Sequence, residues 1–208
     1  MAIIYDAVLN PTKQELLSAW LPKQSWFPPA ADAAYLEHLG AYRFNDPAGA
    51  VGMESHLLRA DGGIVHVPLT YRGALLAGAE ASLAGTMEHS VLGQRWIYDA
   101  CADPVYAAAL AAAILQGQPA ADVFRDIDGT LEPVPAAVTV QGSGTPGAPV
   151  PEITTAAPAT AGSVTTIEAG EATLAVDHLP AATDSPAGAH ILTGSWHGQE
   201  QLVLASIG

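Results

Sequence analysis

VGMESHLLRA (Val51–Ala60), DGG (Asp61–Gly63) and IVHVPLTYR (Ile64–Arg72) read as two strands joined by a tight turn. The flanks alternate and are rich in β-branched and aromatic residues, and the glycines between them accept positive φ. With Asp61-Gly62-Gly63 as a three-residue loop, Ala60 faces Ile64 and Leu58 faces His66. That register puts Met53, Leu57, Val65, Val67, Leu69 and Tyr71 on one face, the expected core face. Glu54, His56, His66 and Thr70 fall on the other. An antiparallel sheet follows from this hairpin.

The neighbouring sequence extends it. Thr86–Ser90 and Arg95–Asp99 read as two short strands around Leu92-Gly93. Asp103-Pro104 opens a helix over Pro104–Gln116 that stops at Gly117, and its apolar surface all round predicts burial against the sheet. Upstream, Asn10-Pro11 signals the start of a helix over Thr12–Trp20, with Leu16, Leu17 and Trp20 on one side. Ile3–Val8 suits a short strand. Leu36–Phe44 admits helix or strand, with Gly40 and the alternation of Tyr42 and Phe44 favouring strand, and Asn45-Asp46-Pro47 is a turn. Trp26 and Phe27, ahead of Pro28-Pro29, suit a loop whose aromatic residues could be exposed.

Residues 126–162, and Pro133–Gly162 above all, are rich in Pro, Thr, Gly, Ala and Val, and read as an extended linker. Beyond it, Val164–Glu168 with Ala172–Val176 and His190–Trp196 with Gln201–Ala205 are two hairpins able to pack as one small sheet. The expected organisation is α+β: a domain over 1–125, a linker over 126–162 and a small β tail over 163–208.

Charge narrows the function. The chain carries seven Lys and Arg against twenty-one Asp and Glu, a net charge of −14. Nucleic-acid and anionic-membrane partners are therefore not expected, since both require cations to meet phosphate. No Lys or Arg follows Arg125. One cysteine, Cys101, allows no internal disulfide. The opening MAIIYD lacks the basic start and apolar run of an export signal, so a cytoplasmic location is expected.

Three segments together resemble the N-terminal cap of actinobacterial maltokinases: PTKQELLSAWLPKQSWF (Pro11–Phe27), VPLTYRGALLAGAE (Val67–Glu80) and GTMEHSVLGQRWIYDACADPVYAAAL (Gly85–Leu110). The similarity spans roughly residues 1–125. It implies a curved antiparallel sheet with packed helices, similar to a cystatin fold, and a place in α-glucan, trehalose and glycogen metabolism. In that family the cap precedes a kinase-like region that phosphorylates maltose. Residues 163–208 could then be a relic of a kinase N-lobe, with Ala175 near the position of the ATP-contacting lysine.

The chemistry points away from catalysis. A kinase needs a lysine on the phosphates and an Asp/Asn pair for the metal. The only lysines are Lys13 and Lys23 and the only asparagines Asn10 and Asn45, and there is no Gly-Lys-Ser/Thr loop. Under fifty residues follow Gly162, too few for the rest of a kinase-like region. Glu88, His89, Arg95, Trp96 and Asp99, all in the third segment, read as stitching two strands and a turn together. Their catalytic alternative would use Ser90 as nucleophile. Glu54, His56 and His66 could hold a metal, as could His178, His190 and His197 with Asp177 and Glu200, but both groups suit ordinary strand surfaces. The expectation is a protein with no catalytic residues, metal or cofactor, acting through another protein of α-glucan metabolism or a sugar. Trp26 and Phe27 form its candidate contact surface. The alternatives are a trimmed sugar kinase, a hydrolase and a carbohydrate-binding module.

Overall fold

The computed structural model describes residues 1–61, 63–181 and 189–208. In chain order its elements are β1 (Ala2–Tyr5), β2 (Leu9–Asn10), α1 (Lys13–Trp20), β3 (Glu37–Phe44), β4 (Val51–Ala60), β5 (Gly63–Arg72), β6 (Leu83–His89), β7 (Gly93–Asp99), α2 (Pro104–Gln116), β8 (Val123–Ile127), β9 (Thr130–Val134), β10 (Val138–Gly142), β11 (Ala157–Ala161), β12 (Val164–Ala169), β13 (Ala172–Asp177), β14 (His190–Trp196) and β15 (Gln199–Ile207). The architecture is α+β. Two six-stranded antiparallel sheets run in the orders β2-β6-β7-β5-β4-β3 and β10-β14-β15-β13-β12-β11, and a small third sheet runs β1-β8-β9.

The β4–β5 hairpin lies between β7 and the edge strand β3 of the first sheet, here called the cap sheet. Its register is one residue tighter than the three-residue loop predicts: Ala60 pairs with Gly63, Leu58 with Val65 and Leu57 with His66. Asp61 adopts φ 48°, and Gly62 lies outside the described residues. Because side chains alternate, that one-residue slip exchanges faces between the strands. Glu54, His56, Leu58 and Ala60 share a face with Val65, Val67, Leu69 and Tyr71; Met53 and Leu57 share the other with His66 and Thr70. Both faces are covered, so polar residues expected in solvent are buried, among them Glu54, His56, His66 and Thr70.

On the first face lie α1 and the chain after it. Leu16, Leu17, Trp20, Leu21, Trp26 and Phe27 join Leu58, Val65, Val67 and Leu69 in one cluster. The cap of α1 is Thr12, whose side chain accepts from the Glu15 amide while Glu15 reaches back to the Thr12 amide. Asn10 instead pairs with Glu88 in β2, so the Asn10-Pro11 reading misses the cap by two residues.

The second face packs against α2. Asp103 caps this helix through the Val105 amide, and Gly117 ends it at φ 62°. Tyr106, Leu110 and Ile114 are buried between Met53 and Leu57 of the cap sheet and Ile167, Leu174, Leu192 and Leu204 of the second sheet. The helix thus lies between two sheets, which explains why it is apolar all round.

The segment expected to be a linker is part of the fold. It supplies the end of β8, then β9, β10 and β11, and β10 and β11 form the two edges of the second sheet. Val138, Val140 and Ile153 are in the core. Its glycines serve close approach rather than flexibility. A Cβ on Gly144 would lie 1.8 Å from the Leu115 carbonyl oxygen, and one on Gly142 would lie 2.0 Å from that of Ala113. The backbone amides of Gly144 and Thr145 donate to the carbonyls of Ile114 and Leu115, at 2.9 and 3.0 Å, closing the end of α2. Both hairpins expected in the tail are present and are joined by pairing of β13 with β15, though residues 182–188 lie outside the described residues.

Candidate functional site

The observed register assembles a row of polar side chains on the α1 face of the cap sheet, near the first turn of that helix. Arg43 of β3 is opposite Glu54 of β4. Tyr71 of β5 is opposite Ile97 of β7, and Arg95, two residues earlier on the same face, is opposite Met87 of β6. Lys13 enters from the start of α1. Strand β1 stands across from the row, and the cleft between them has a volume of about 430 Å³.

Glu54 organises one half of the cleft. Its carboxylate takes the Lys13 ammonium and, at 2.8 Å, the Arg43 guanidinium. Burial alone would raise its pKa, but the charges around it outweigh that and hold the carboxyl well below the usual range. His56 Nε2 is 3.5 Å from Glu54 and 3.2 Å from the Tyr71 hydroxyl, and its Nδ1 is 3.4 Å from His38. Burial pushes His56 down to about 4, so it is neutral at pH 7 and the cations holding Glu54 ionised are Lys13 and Arg43. Lys13 Nζ also lies 5.6 Å from the centre of the Tyr71 ring.

Arg95 and His89 form the other half. His89 Nδ1 accepts from the amides of Val91 and Leu92, at 3.2 and 3.1 Å, which places the proton on Nε2. Burial and the nearby charge of Arg95, then of Lys13, lower its pKa. The Tyr5 ring meets His89 edge-on, with centroids 6.0 Å apart. Arg95 Nη2 donates to the Leu92 carbonyl, while its Nε is buried without a hydrogen-bond partner. Among the described residues Arg95 has no carboxylate partner.

Of the five motif residues of the third segment, His89 and Arg95 therefore meet at the β6–β7 turn, and the others stand elsewhere. Glu88 is exposed, and Trp96 packs with Leu76, Leu83 and Tyr98. Asp99, at the far end of β7, accepts from the Cys101 amide at 2.9 Å. Ser90 Oγ accepts from the Val8 amide at 3.0 Å. No nucleophile–base–acid chain arises from these groups.

Trp26 and Phe27 are buried, at 4% and 7% exposure, which removes them as a contact surface. Trp26 stacks on His178 with centroids 4.1 Å apart and planes 4° apart. Packing among the α1 cluster and against His178, rather than exposure, is what this aromatic pair provides.

The histidine groups resolve similarly. His66 is across the sheet from Glu54 and His56, so those three hold no common ion. His178 is buried at the joint between the two large sheets, while His190 and His197 are exposed. His66 Nδ1 donates to the Asp177 carbonyl at 3.0 Å, and its Nε2 accepts from the Tyr42 hydroxyl at 3.0 Å. His178 Nδ1 donates to the His66 carbonyl at 3.1 Å, and its Nε2 accepts from Thr165 at 2.8 Å. Burial lowers the pKa of both rings, so both are neutral at pH 7, and each ring nitrogen has a hydrogen-bond partner. Asp99, Cys101 and His178 bring potential ligand atoms within 4.8 Å of one another, but His178 has no free nitrogen to offer a metal.

Sequence reasoning missed Lys13 and Arg43 as partners of Glu54, because the slipped register sends Glu54 to the wrong face. It also missed Arg72, whose Nε and Nη2 each lie 2.7 Å from the fully buried Asp103 carboxylate. The signal for the first was the Asp61-Gly62 pair, which favours a two-residue loop.

No curated protein matches the chain. The model of the maltokinase N-terminal cap domain matches residues 20–103. This is under half of the chain and narrower than the span suggested by the three segments. The match runs from the last residue of α1 to the residue that caps α2 and takes in β3 to β7, and over this span the chain is similar to the maltokinase N-terminal cap domain.

Proposed function

We propose that the chain is a non-catalytic accessory or regulatory protein of α-glucan, trehalose or glycogen metabolism, acting through an enzyme of that metabolism or a sugar. Its relation to the maltokinase cap supports the metabolic setting. The observation that carries the non-catalytic reading is the surface of the second sheet. Ala175, at the position compared with a kinase lysine, is flanked by Thr166 on β12 and Ser206 on β15. No Lys or Arg follows Arg125, while residues 126–208 hold nine acids. A triphosphate needs preorganised cations and metal ligands, and this surface opposes it.

Calorimetry with Mg-ATP and a radiolabelled phosphotransfer assay on maltose test the reading. The expected result is no saturable nucleotide binding and no transfer above a heat-killed control. Micromolar stoichiometric binding with turnover would overturn it.

A further inference from the structure

We propose that the cleft between β1 and the α1 face of the cap sheet binds a small organic oxyanion, a phosphate ester or a carboxylate, with Arg95 as its anchoring donor. This goes beyond the accessory role above and stands independently of it.

The first support is where positive charge sits. In a chain of net charge −14, three of the seven Lys and Arg line this one cleft: Lys13, Arg43 and Arg95. Arg59 and Arg72 are paired with Glu37 and Asp103, and neither lines it. Among the described residues, two carboxylates face the cleft. Glu54 is shared by Lys13 and Arg43, so it offsets only one of them. Asp46, whose carboxylate accepts from the amides of Ala48, Ala50 and Val51 at 2.8–2.9 Å, offsets a second charge, which leaves three cations against two carboxylates. An excess of positive charge remains in a partly desolvated cleft, where it acts more strongly than in water.

Arg95 is the second support. Lys13 and Arg43 are explained by Glu54, whose buried charge requires them. Nothing comparable among the described residues explains Arg95, which has one carbonyl acceptor there, an unsatisfied buried Nε and no carboxylate. A planar guanidinium with free donors fits a carboxylate or phosphate in two parallel hydrogen bonds. Gly73 makes room for it: a Cβ there would lie 2.8 Å from Arg95 Nη1.

The remaining lining suits the body of such a molecule. Tyr5, Tyr71, Leu9 and Met87 supply aromatic and apolar surface, and His89 Nε2–H is a donor. A volume of about 430 Å³ lies within the ~300–1,000 Å³ typical of small-molecule pockets. A cation would meet the excess positive charge, and a neutral sugar would leave it uncompensated.

The test is calorimetric titration of the intact protein with glucose 6-phosphate, glucuronate and maltose at low salt. Either anion should saturate with a Kd of about 1 mM or tighter, and added salt should weaken it. Binding of both identifies the shared oxyanion chemistry, and binding of one alone selects phosphate or carboxylate. Arg95→Gln should weaken binding at least about tenfold without moving the ligand-free melting temperature. Arg95→Lys, which keeps charge but not the planar fork, should fall between. As a check on the wild-type protein, the Arg95 Nε–H resonance should shift on saturation. The proposal is overturned by no saturation below about 10 mM, by unchanged affinity in both variants, by a static Arg95 resonance, or by maltose binding as tightly as the anions.

Discussion

Asp103 carries a full charge into the core with no exposure of its own, and Arg72 meets it with two hydrogen bonds of 2.7 Å. Removing one partner of such a pair leaves the other uncompensated. Arg72→Met should therefore destabilise by about 3 kcal/mol, read as a lower urea midpoint, with part of the loss recovered by adding Asp103→Asn. A midpoint like that of the wild type would contradict this account of the pair. The buried histidines give a pH dependence whose sign follows from their environment. Burial pushes His66 down to about 3 and His56 to about 4, and lowers His178, while the unfolded chain titrates near 6.5. Between those limits the unfolded state binds protons that the folded state refuses, so acid favours unfolding. Stability should be full above about pH 6.5 and fall steadily below it, by about 2 kcal/mol for each of His66 and His56 at pH 5. Urea unfolding at pH 7.5, 6 and 5 measures this, and a flat midpoint across the series would contradict the neutral, buried assignment.

At the scale of elements, the close approach of the 142–145 segment to the end of α2 makes a sharp prediction. Gly144→Ala places a methyl carbon against backbone that cannot give way, and should cost about 3 kcal/mol in thermal or urea unfolding. Gly147→Ala, where a Cβ meets nothing within 4 Å but φ is 82°, should cost less, about 1 kcal/mol. Equal effects would mean that steric contact at Gly144 is not what holds the segment. The same segment shows where sequence is legible and where it is not. Asp103, Pro104 and Gly117 mark both ends of α2, because caps and stops are local chemistry. Val164–Glu168 with Ala172–Val176 reads as a hairpin because its alternation is complete within one turn. The stretch between them was opaque. In QGSGTPG a glycine chosen for close packing looks the same as one chosen for freedom, and only the neighbouring helix separates the two. The cleft was hidden for a different reason. Arg43, Glu54, Tyr71 and Arg95 are spread over four strands, and their meeting depends on a register that one residue of loop length reverses.

Over the whole molecule, the cap sheet, α2 and the second sheet share one hydrophobic cluster that runs from Tyr42 and Met53 through Leu110 to Leu174 and Ile207. The contact extends beyond apolar packing. The His66 amide donates to the His178 carbonyl at 2.9 Å, and the two histidine rings bond across the same joint. The segment matched to the maltokinase cap is therefore one face of a larger core. Differential scanning calorimetry of the intact chain at pH 7.5 tests this most directly. A single transition is expected, with calorimetric and van't Hoff enthalpies that agree. Two separated transitions, with residues 1–125 melting independently of the second sheet, would contradict it.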